Sequence, residues 1–245
     1  MNTNLKISIV TVAYNAENSI ENTILSVLDQ TYKNIEYIII DGGSIDNTIN
    51  IVKKYEHNNL NYISEKDNGI YNAMNKSINM VTGDYVYFLN CGDTFHSNDT
   101  VKEVVEFLSR NKTEILFGNI QNVYTDHKQI EYYNNLKIRS SSFLKGQSIC
   151  HQAIFADRKI FEDIQFDEQY KICADKNWII ECMVNNKNFM HANILICDFD
   201  KHGISANPQN SYVIKSETNK MLKGRFPIKF YLFKSIRFVP MFFRR

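Results

Sequence analysis

Residues Ile35 to Thr48 read IEYIIIDGGSIDNT and join a β-branched run to a polar turn. The run ends at the carboxylate of Asp41, two glycines follow, and a second carboxylate, Asp46, precedes a helical stretch. In open α/β sheets, ligands bind in the crevice beyond the carboxyl ends of the strands. The stretch therefore predicts a nucleotide-binding strand end, with the Asp41 carboxylate projecting into the crevice and Asp46 capping the next helix.

The residues around this stretch alternate between short β-branched runs and segments of helical period. The alternation predicts a mostly parallel α/β sheet flanked by helices, in which the ends of the first two strands open onto one crevice. Strands are expected over residues 6–13, 35–40, 60–64, 85–89, 115–120 and 190–199, and helices over 19–29, 48–55, 70–80, 100–109 and 175–185.

Composition and charge restrict the class of protein. A hydrophobic content of 44% and a net charge of +1 are ordinary for a globular protein and give no general attraction to nucleic acid. The five cysteines include no CxxC pair, which favours a reducing cytoplasm over a disulfide framework. The N-terminus has no signal-peptide pattern, and no apolar run reaches the roughly 18 residues of a membrane span. We expect a cytoplasmic protein.

Six segments, taken in order, carry a resemblance to one enzyme family. They read ISIVTVAYNAENSI, SVLDQTY, DGGSIDNT, EKDNGIYNAMNKSI, GDYVYFLNCGD and ADKNW. In order and spacing they resemble the family-2 inverting glycosyltransferases of GT-A fold, and most of all the branch that builds bacterial surface polysaccharides. The similarity is dense from Ile7 to Phe95 and thinner from His151 to Ser205. It implies a nucleotide-sugar donor, with uridine diphosphate as the expected carrier, and a glycan or polyprenyl-linked acceptor.

The resemblance and the change of pattern after Asn122 divide the chain into three parts. Residues 1–122 are expected to form the nucleotide-sugar-binding half, and residues 123–210 the acceptor-binding half of the same domain. A basic, aromatic appendage follows at 211–245. From Gly224 to Arg245 it contains six basic residues, seven aromatic residues and no acid. This mixture predicts attachment to the anionic inner face of the cell membrane, and the alternative is packing on its own domain or a second subunit.

The resemblance places the donor at several strand ends. The Tyr14 ring is expected to pack on the base, which Asp41 also contacts. Helix N-termini favour anions, and the segment EKDNGIYNAMNK is expected to close over the ribose and diphosphate. Tyr14 packed at a strand end, Asp67 in an ordinary turn and His202 in an exposed loop are the alternatives. The donor-binding residues implied are Thr11, Ala13, Tyr14, Asn15, Glu17, Asp41, Asp67, Gly69, Asn75, Asn90, Cys91, Gly92, Asp93 and His202.

The segment after the strand at 85–89 departs from the family pattern. Family members usually carry Asp-x-Asp or Asp-Asp there, whereas this chain has Asn90, Cys91, Gly92 and Asp93. Mg²⁺ and Mn²⁺ prefer oxygen ligands, so Asp93 is the expected metal ligand and Cys91 a small filler. The divalent cation would be held largely by its substrate, with weak affinity for the free protein. An inactive site that retains the fold is the alternative.

Inverting transfer requires a general base for the acceptor hydroxyl. Asp175 stands at the family position of that base, although a helix-start carboxylate can also be a cap. The resemblance assigns His151, Gln152 and Trp178 to the acceptor pocket, with core packing as the alternative for His151 and Trp178. Two rival functions remain: a sugar nucleotidyltransferase, which would require a glycine-rich loop where this chain has AYNAEN, and a non-catalytic subunit of the same fold.

Overall fold

The computed structural model describes residues 4–56, 60–133, 136–203 and 207–237. These residues form one mixed sheet with helices packed against it. The strands are β1 (Ile7–Ala13), β2 (Ile35–Asp41), β3 (Leu60–Ser64), β4 (Tyr85–Phe88), β5 (Thr94–Phe95), β6 (Ile115–Val123), β7 (Lys128–Glu131), β8 (Ile154–Asp157) and β9 (Phe189–Asp200). The α-helices are α1 (Ile20–Leu28), α2 (Thr48–Lys53), α3 (Ile70–Ile78), α4 (Thr100–Arg110), α5 (Ser140–Leu144), α6 (Ile160–Asp163), α7 (Ala174–Val184), α8 (Ser211–Arg225) and α9 (Pro227–Arg237).

The strands follow the order β3-β2-β1-β4-β8-β6-β9-β5, with β7 paired to β6. Strands β1, β2, β3, β4, β6 and β9 run in one direction, and β5, β7 and β8 run in the other. The predicted mostly parallel sheet is therefore confirmed. The three reversed strands were not predicted, because runs of two to four residues are too short to show a period.

The predicted strands and helices are present, with ends that differ by a few residues. The sheet also joins the two predicted halves, since β4 pairs with β8 and β6 pairs with β9. Strand β6 continues to Val123, so the boundary drawn after residue 122 lies one residue before the end of this strand. The division into donor and acceptor halves stays a prediction about function.

Burial of the strands fixes which ends face the site. In β2, Ile38, Ile39 and Ile40 are all buried, as expected for a strand covered on both faces. Tyr87 of β4 stacks on Phe155 of β8 with ring centroids 4.3 Å apart, which anchors the reversed strand beside the parallel ones. Fully burying a side chain of this size contributes roughly 1.5–3 kcal/mol. The core therefore fixes the register, and the polar residues that follow β1, β2 and β4 meet at one edge.

The C-terminal helices pack on the domain through a few specific contacts. The Arg225 guanidinium pairs with the carboxylate of Glu181 on α7. On α9, Phe230 is buried and the Lys229 ammonium donates to Ser140 Oγ at 3.0 Å. The part of the appendage in α8 and the start of α9 is thus docked on its own domain, as the alternative reading expected. Residues 238–245 lie outside the described part of the chain.

The outward side of α9 is apolar. Ile228 is 76% exposed, and Tyr231 and Leu232, one helical turn further on, are 53% and 59% exposed. Residues three and four apart share a helix face, so these side chains form one stripe. Among the described residues, no helix has both the length and the apolar character required to span a bilayer.

Candidate active site

The loops after β1 and β2 are joined by hydrogen bonds. The Asn15 N–H donates to Ser44 Oγ at 2.8 Å, and the Ile45 N–H donates to Asn15 Oδ1 at 3.0 Å. Asn15 has a φ of 48°, a left-handed conformation that asparagine tolerates better than most residues. The adjacent Tyr14 is 64% exposed, so it is not packed at the strand end and its ring is accessible to a ligand.

Asp41 supports the loop that follows β2. Its Oδ2 accepts from the N–H groups of Gly43 and Ser44 at 3.1 and 3.0 Å and from Ser64 Oγ at 2.7 Å. Its side chain is completely buried, so the expectation that the carboxylate projects into the crevice is wrong for this conformation. Asp46 does cap α2, since its Oδ1 accepts from the Thr48 N–H at 3.0 Å.

Three other residues expected near the nucleoside lie in different environments. Thr11 is buried and its hydroxyl bonds to Tyr37 OH at 3.0 Å, and Ala13 is also buried. Neither lines an exposed surface, because both belong to the packed strand β1. Glu17 is exposed and its Oε2 accepts from the Asn47 N–H at 2.9 Å, which adds a further link between the two loops.

The segment before α3 closes against the end of β2. Asp67 Oδ1 accepts from the Gly69 N–H at 2.8 Å, so Asp67 forms the ordinary turn that was the alternative. A Cβ atom on Gly42 would lie 2.6 Å from Asp67 Oδ2, so glycine allows this close approach. Asn75 was expected to face the diphosphate, but its amide pairs with both backbone groups of Phe166 at 2.9 and 3.0 Å. Asn75 therefore braces the segment before α7, and its contact with the diphosphate stays a prediction.

The residues after β4 form a tight turn beside α1. Gly92 has a φ of 101°, and its N–H donates to Thr23 Oγ1 at 3.1 Å. Cys91 Sγ lies 3.3 Å from Ser19 Oγ, and burial raises the pKa of the thiol to about 11. Cys91 is thus a protonated thiol at neutral pH, in keeping with its predicted role as a small filler.

Asp93 is held inside the protein. It is 3% exposed, its Oδ1 accepts from the Asp200 N–H at 2.9 Å, and its Oδ2 accepts from Gln152 Nε2 at 2.8 Å. Burial raises the pKa of Asp93 to about 7, although these hydrogen bonds act in the opposite direction. Gln152 is itself buried and donates to Asp93, and its assignment to the acceptor pocket stays a prediction.

The oxygen donors in this region fit only a cation that brings most of its ligands with it. Within the described ranges, no group of three or more His, Cys, Asp or Glu side chains could form a metal cage. Asn90 Oδ1 is buried without a hydrogen-bond partner, so one neutral oxygen is available next to Asp93 in sequence. Mg²⁺ and similar ions are often held by one or two carboxylates together with substrate phosphates. Weak affinity for the free protein is therefore expected.

Asp175 lies on the first turn of α7. Its Oδ1 accepts from the Lys176 N–H at 2.7 Å, and its Oδ2 lies 3.0 Å from His151 Nδ1. Tyr71 OH lies 3.3 Å from the same Oδ1 but donates its proton to the Ile172 carbonyl oxygen at 2.6 Å. Burial by itself would raise the pKa of Asp175, but the hydrogen bonds from His151 and from the Lys176 N–H outweigh it and lower the pKa. Asp175 is therefore a carboxylate at neutral pH. The helix N-cap is Cys173, so Asp175 is not the cap residue.

His151 joins this carboxylate to the end of β4. Its Nδ1 faces Asp175, and its Nε2 lies 3.0 Å from Asn90 Nδ2. His151 is therefore not a packed core residue. No local pattern predicts the link, because 61 residues separate Asn90 from His151. The position of Tyr71 near Asp175 was likewise not predicted. The only indication in the sequence was an aromatic residue within the segment EKDNGIYNAMNK.

Two further predicted residues differ in their surroundings. Trp178 is buried, stacks on Phe161 with centroids 5.0 Å apart and donates to the Ile164 carbonyl at 2.9 Å, so its acceptor assignment is wrong. His202 is exposed, and its ring lies 2.5 Å from Asp200 Oδ1 and 2.8 Å from Thr125 Oγ1. The rest of the predicted loop, residues 204–206, lies outside the described residues.

Relatives with known names are similar to most of this chain. Rv1514c of Mycobacterium tuberculosis, named an uncharacterized glycosyltransferase, is 29% identical over 211 residues, covering 84% of this chain and 79% of that protein. A PGL/p-HBAD biosynthesis glycosyltransferase of Mycobacterium bovis is 26% identical over 186 residues, covering 73% of this chain and 70% of that protein.

Solved structures share the fold at low sequence identity. S. aureus TarS 1-349 in complex with UDP-GlcNAc has a TM-score of 0.71 at 19% identity, over 89% of this chain and 67% of that chain. The mannosyltransferase PcManGT from Pyrobaculum calidifontis, in complex with GDP-Man and Mn²⁺, has a TM-score of 0.65 at 17% identity, over 95% of this chain and 64% of that chain. This chain spans 39% of a longer TarS structure.

The family model named "Glycosyl transferase family 2" matches residues 8–189, a range that runs from β1 to the start of β9 and includes Asp41, Asp93 and Asp175. The chain therefore belongs to glycosyl transferase family 2 and has a GT-A-like α/β fold.

Proposed function

We propose that this chain transfers a sugar from a uridine diphosphate sugar to a hydroxyl of a glycan or polyprenyl-linked acceptor, with inversion, during synthesis of a cell-surface polysaccharide. Membership of the family supports sugar transfer. The TarS complex with UDP-GlcNAc supports the donor class, and the relatives named for PGL/p-HBAD biosynthesis support a cell-surface product. One observation of this chain carries the proposal: Asp175 is a hydrogen-bonded carboxylate with a lowered pKa, and His151 links it to the end of β4.

Asp175 acts as the general base in this proposal. Its carboxylate accepts the proton of the acceptor hydroxyl while that oxygen bonds to the anomeric carbon. The bond from the anomeric carbon to the diphosphate breaks on the opposite face, and its electron pair leaves with the nucleoside diphosphate. A single displacement of this kind inverts the configuration of the anomeric carbon.

The donor half of the site lies in residues 1–122, and the acceptor half in 123–210. The exposed Tyr14 ring supplies a face for the base, and the joined loops after β1 and β2 hold the backbone of the adjacent Asn15. Asp93 and Asn90 Oδ1 would hold Mn²⁺ or Mg²⁺ together with the diphosphate. When bound, the cation supplies positive charge that stabilises the departing diphosphate.

The proposed location is the cytoplasmic face of the cell membrane. The apolar stripe of Ile228, Tyr231 and Leu232 gives α9 an outward surface suited to the boundary between headgroups and acyl chains. Basic residues in the same appendage favour anionic lipid.

A panel of nucleotide sugars tests the proposal. A ligand that binds only the native state raises the melting temperature, so the cognate donor is identified by thermal stabilisation in the presence of Mn²⁺. Transfer of the radiolabelled sugar to a lipid extract follows, and NMR of the product reports its anomeric configuration. Stabilisation without transfer or hydrolysis would favour the non-catalytic subunit. Synthesis of a nucleotide sugar from a sugar phosphate would favour the nucleotidyltransferase.

A further inference from the structure

Asn90, His151 and Asp175 form a continuous hydrogen-bonded chain. Asn90 Nδ2 is 3.0 Å from His151 Nε2, and His151 Nδ1 is 3.0 Å from Asp175 Oδ2. The His151 side chain is 15% exposed, so few water molecules compete for its two ring nitrogens. The chain crosses from the end of β4, in the donor half, to α7, in the acceptor half.

The direction of each hydrogen bond follows from the chemistry of the three groups. An ionised carboxylate only accepts hydrogen bonds, so His151 must carry its proton on Nδ1 to bond with Asp175. In a neutral imidazole the other nitrogen is then an acceptor. Asn90 satisfies it by donating from Nδ2, which leaves Asn90 Oδ1 as the buried atom without a partner. The amide thus specifies the tautomer of the imidazole.

The same accounting shows how Asp175 is held. A carboxylate has about four lone-pair sites, two on each oxygen. The Lys176 N–H occupies one site on Oδ1, and His151 occupies one site on Oδ2. The single proton of Tyr71 OH goes to the Ile172 carbonyl oxygen at 2.6 Å, and Oδ1 is further away at 3.3 Å. One site on each oxygen therefore remains, and His151 holds the side chain from the Oδ2 side.

We propose that His151 is a positioning residue for the general base. It holds the carboxylate of Asp175 in place through the bond to Oδ2, and Asn90 occupies the other ring nitrogen of His151. This inference rests on the proposed function, because it assigns a task to residues around the same base. It also gives a reason for the amide at position 90. A carboxylate there would have no proton to donate to Nε2, whereas the amide donates from Nδ2.

Substitutions at position 151 can separate the two hydrogen bonds. In His151→Asn the amide nitrogen is bonded to Cγ, as Nδ1 is, so this variant keeps a donor near Asp175. In His151→Gln the amide group extends one bond further, so it keeps a partner for Asn90 instead. We expect His151→Gln to lower single-turnover transfer by about tenfold to a hundredfold, as for a lost charge-assisted bond and a misplaced base. His151→Asn should recover most of that loss.

Two controls make the kinetic result specific. Donor affinity, measured without Mn²⁺ on the same preparations, should be unchanged in both variants, because His151 reaches the donor half only through Asn90, whose proposed task is to hold the cation. In an Asp175→Asn background, His151→Gln should lower transfer by less than about twofold, since residues that act as one unit are non-additive. His127→Gln, in an exposed histidine before β7, should behave as the wild type. Equal losses in His151→Gln and His151→Asn, or full additivity with Asp175→Asn, would overturn the proposal.

A spectroscopic measurement tests the inference without any need for activity. Nitrogen-15 NMR of the histidine rings distinguishes the two neutral tautomers and the imidazolium, and the His151 signals are those missing from His151→Asn. At neutral pH we expect a protonated Nδ1 and an unprotonated Nε2. A protonated Nε2 would overturn the assignment. If no donor in the panel supports transfer, the proposed function fails while the NMR result still decides the state of His151.

Discussion

Replacing Asp175 with Asn removes a proton acceptor from a site that can otherwise rearrange around the change. The new amide can offer its NH₂ to His151, which can then accept at Nδ1 and carry its proton on Nε2 instead. Asn90 Oδ1, which has no partner in the native structure, can accept from that Nε2–H after a rotation of the amide. The hydrogen bonds reverse direction without a change in the fold.

The expected magnitudes follow from what is lost and what is kept. The charge-assisted bonds become neutral ones, a difference of about 1 kcal/mol, so the free energy of unfolding should change little. Loss of a positioned general base typically lowers the rate by about a hundredfold to ten-thousandfold, which is roughly 3–5 kcal/mol in the barrier. Donor affinity measured without Mn²⁺ should not change, because Asp175 reaches the donor half only through His151 and Asn90, and Asn90 is proposed to act through the cation.

Single-turnover transfer at saturating donor, calorimetric donor affinity and thermal unfolding are measured on one preparation. Glu162→Gln on α6 is a matched control, because it removes a carboxylate that is 60% exposed and bonded only to Arg158 among the contacts described. Transfer at a rate close to that of the wild type would refute the assignment of Asp175, and His151 would be the next candidate for the base. A loss of donor affinity instead would place Asp175 in the donor half.

Three other perturbations have definite expected outcomes. Asp93→Ala should abolish the Mn²⁺ enhancement of nucleoside diphosphate binding, measured by calorimetry. In the wild type this enhancement should grow between about pH 6 and 8. The reason is that the pKa of Asp93 is about 7 and a cation requires the ionised carboxylate. An unchanged enhancement in the variant would contradict the assignment. Glu36→Gln should cost about 2 kcal/mol of stability at pH 7, because hydrogen bonds from Ser8 and Thr82 overcome the effect of burial and lower the pKa of Glu36 from 4.5 to about 2. The depressed pKa means that this stability is present above about pH 4.5 and disappears toward pH 2, so the two proteins should converge in acid denaturation. A constant difference across that range would be inconsistent with the role of these hydrogen bonds. Replacing Ile228 and Tyr231 with Gln should reduce sedimentation with anionic liposomes, whereas the control Ile130→Gln on β7 should not. Equal pelleting of all proteins would mean that the apolar stripe of α9 serves another contact.

The regular part of the fold could be predicted from the sequence, because long β-branched runs and helical periods report burial directly. Strand β3 was predicted with its observed bounds, Leu60–Ser64, and β1 and β2 to within one residue. Strand β8 could not be predicted, since four residues carry no usable period and its place between β4 and β6 depends on contacts distant in sequence.

The site was predictable at the level of which segments meet, but less so at the level of individual side chains. Asp175 lies beside the end of β4, as the family resemblance implied, through a contact with His151 that only the fold creates. Asn75, Gln152 and Trp178 have the residue types of ligand contacts, yet each one satisfies a neighbour inside the protein. Sequence pattern identifies polar groups near a site, whereas their hydrogen-bond partners decide which of them remain available.

The position of His151 has a consequence for how this protein can diversify. The residue lies in a short turn that leads directly into β8, and β8 is paired on both sides, with β4 and with β6. The preceding connection from the end of β6 contains β7 and α5 and is anchored by the sheet at both ends. The length and sequence of that connection can therefore change while the imidazole keeps its place. In the proposed enzyme, this arrangement would let the surface beside the acceptor change without moving His151 away from Asp175.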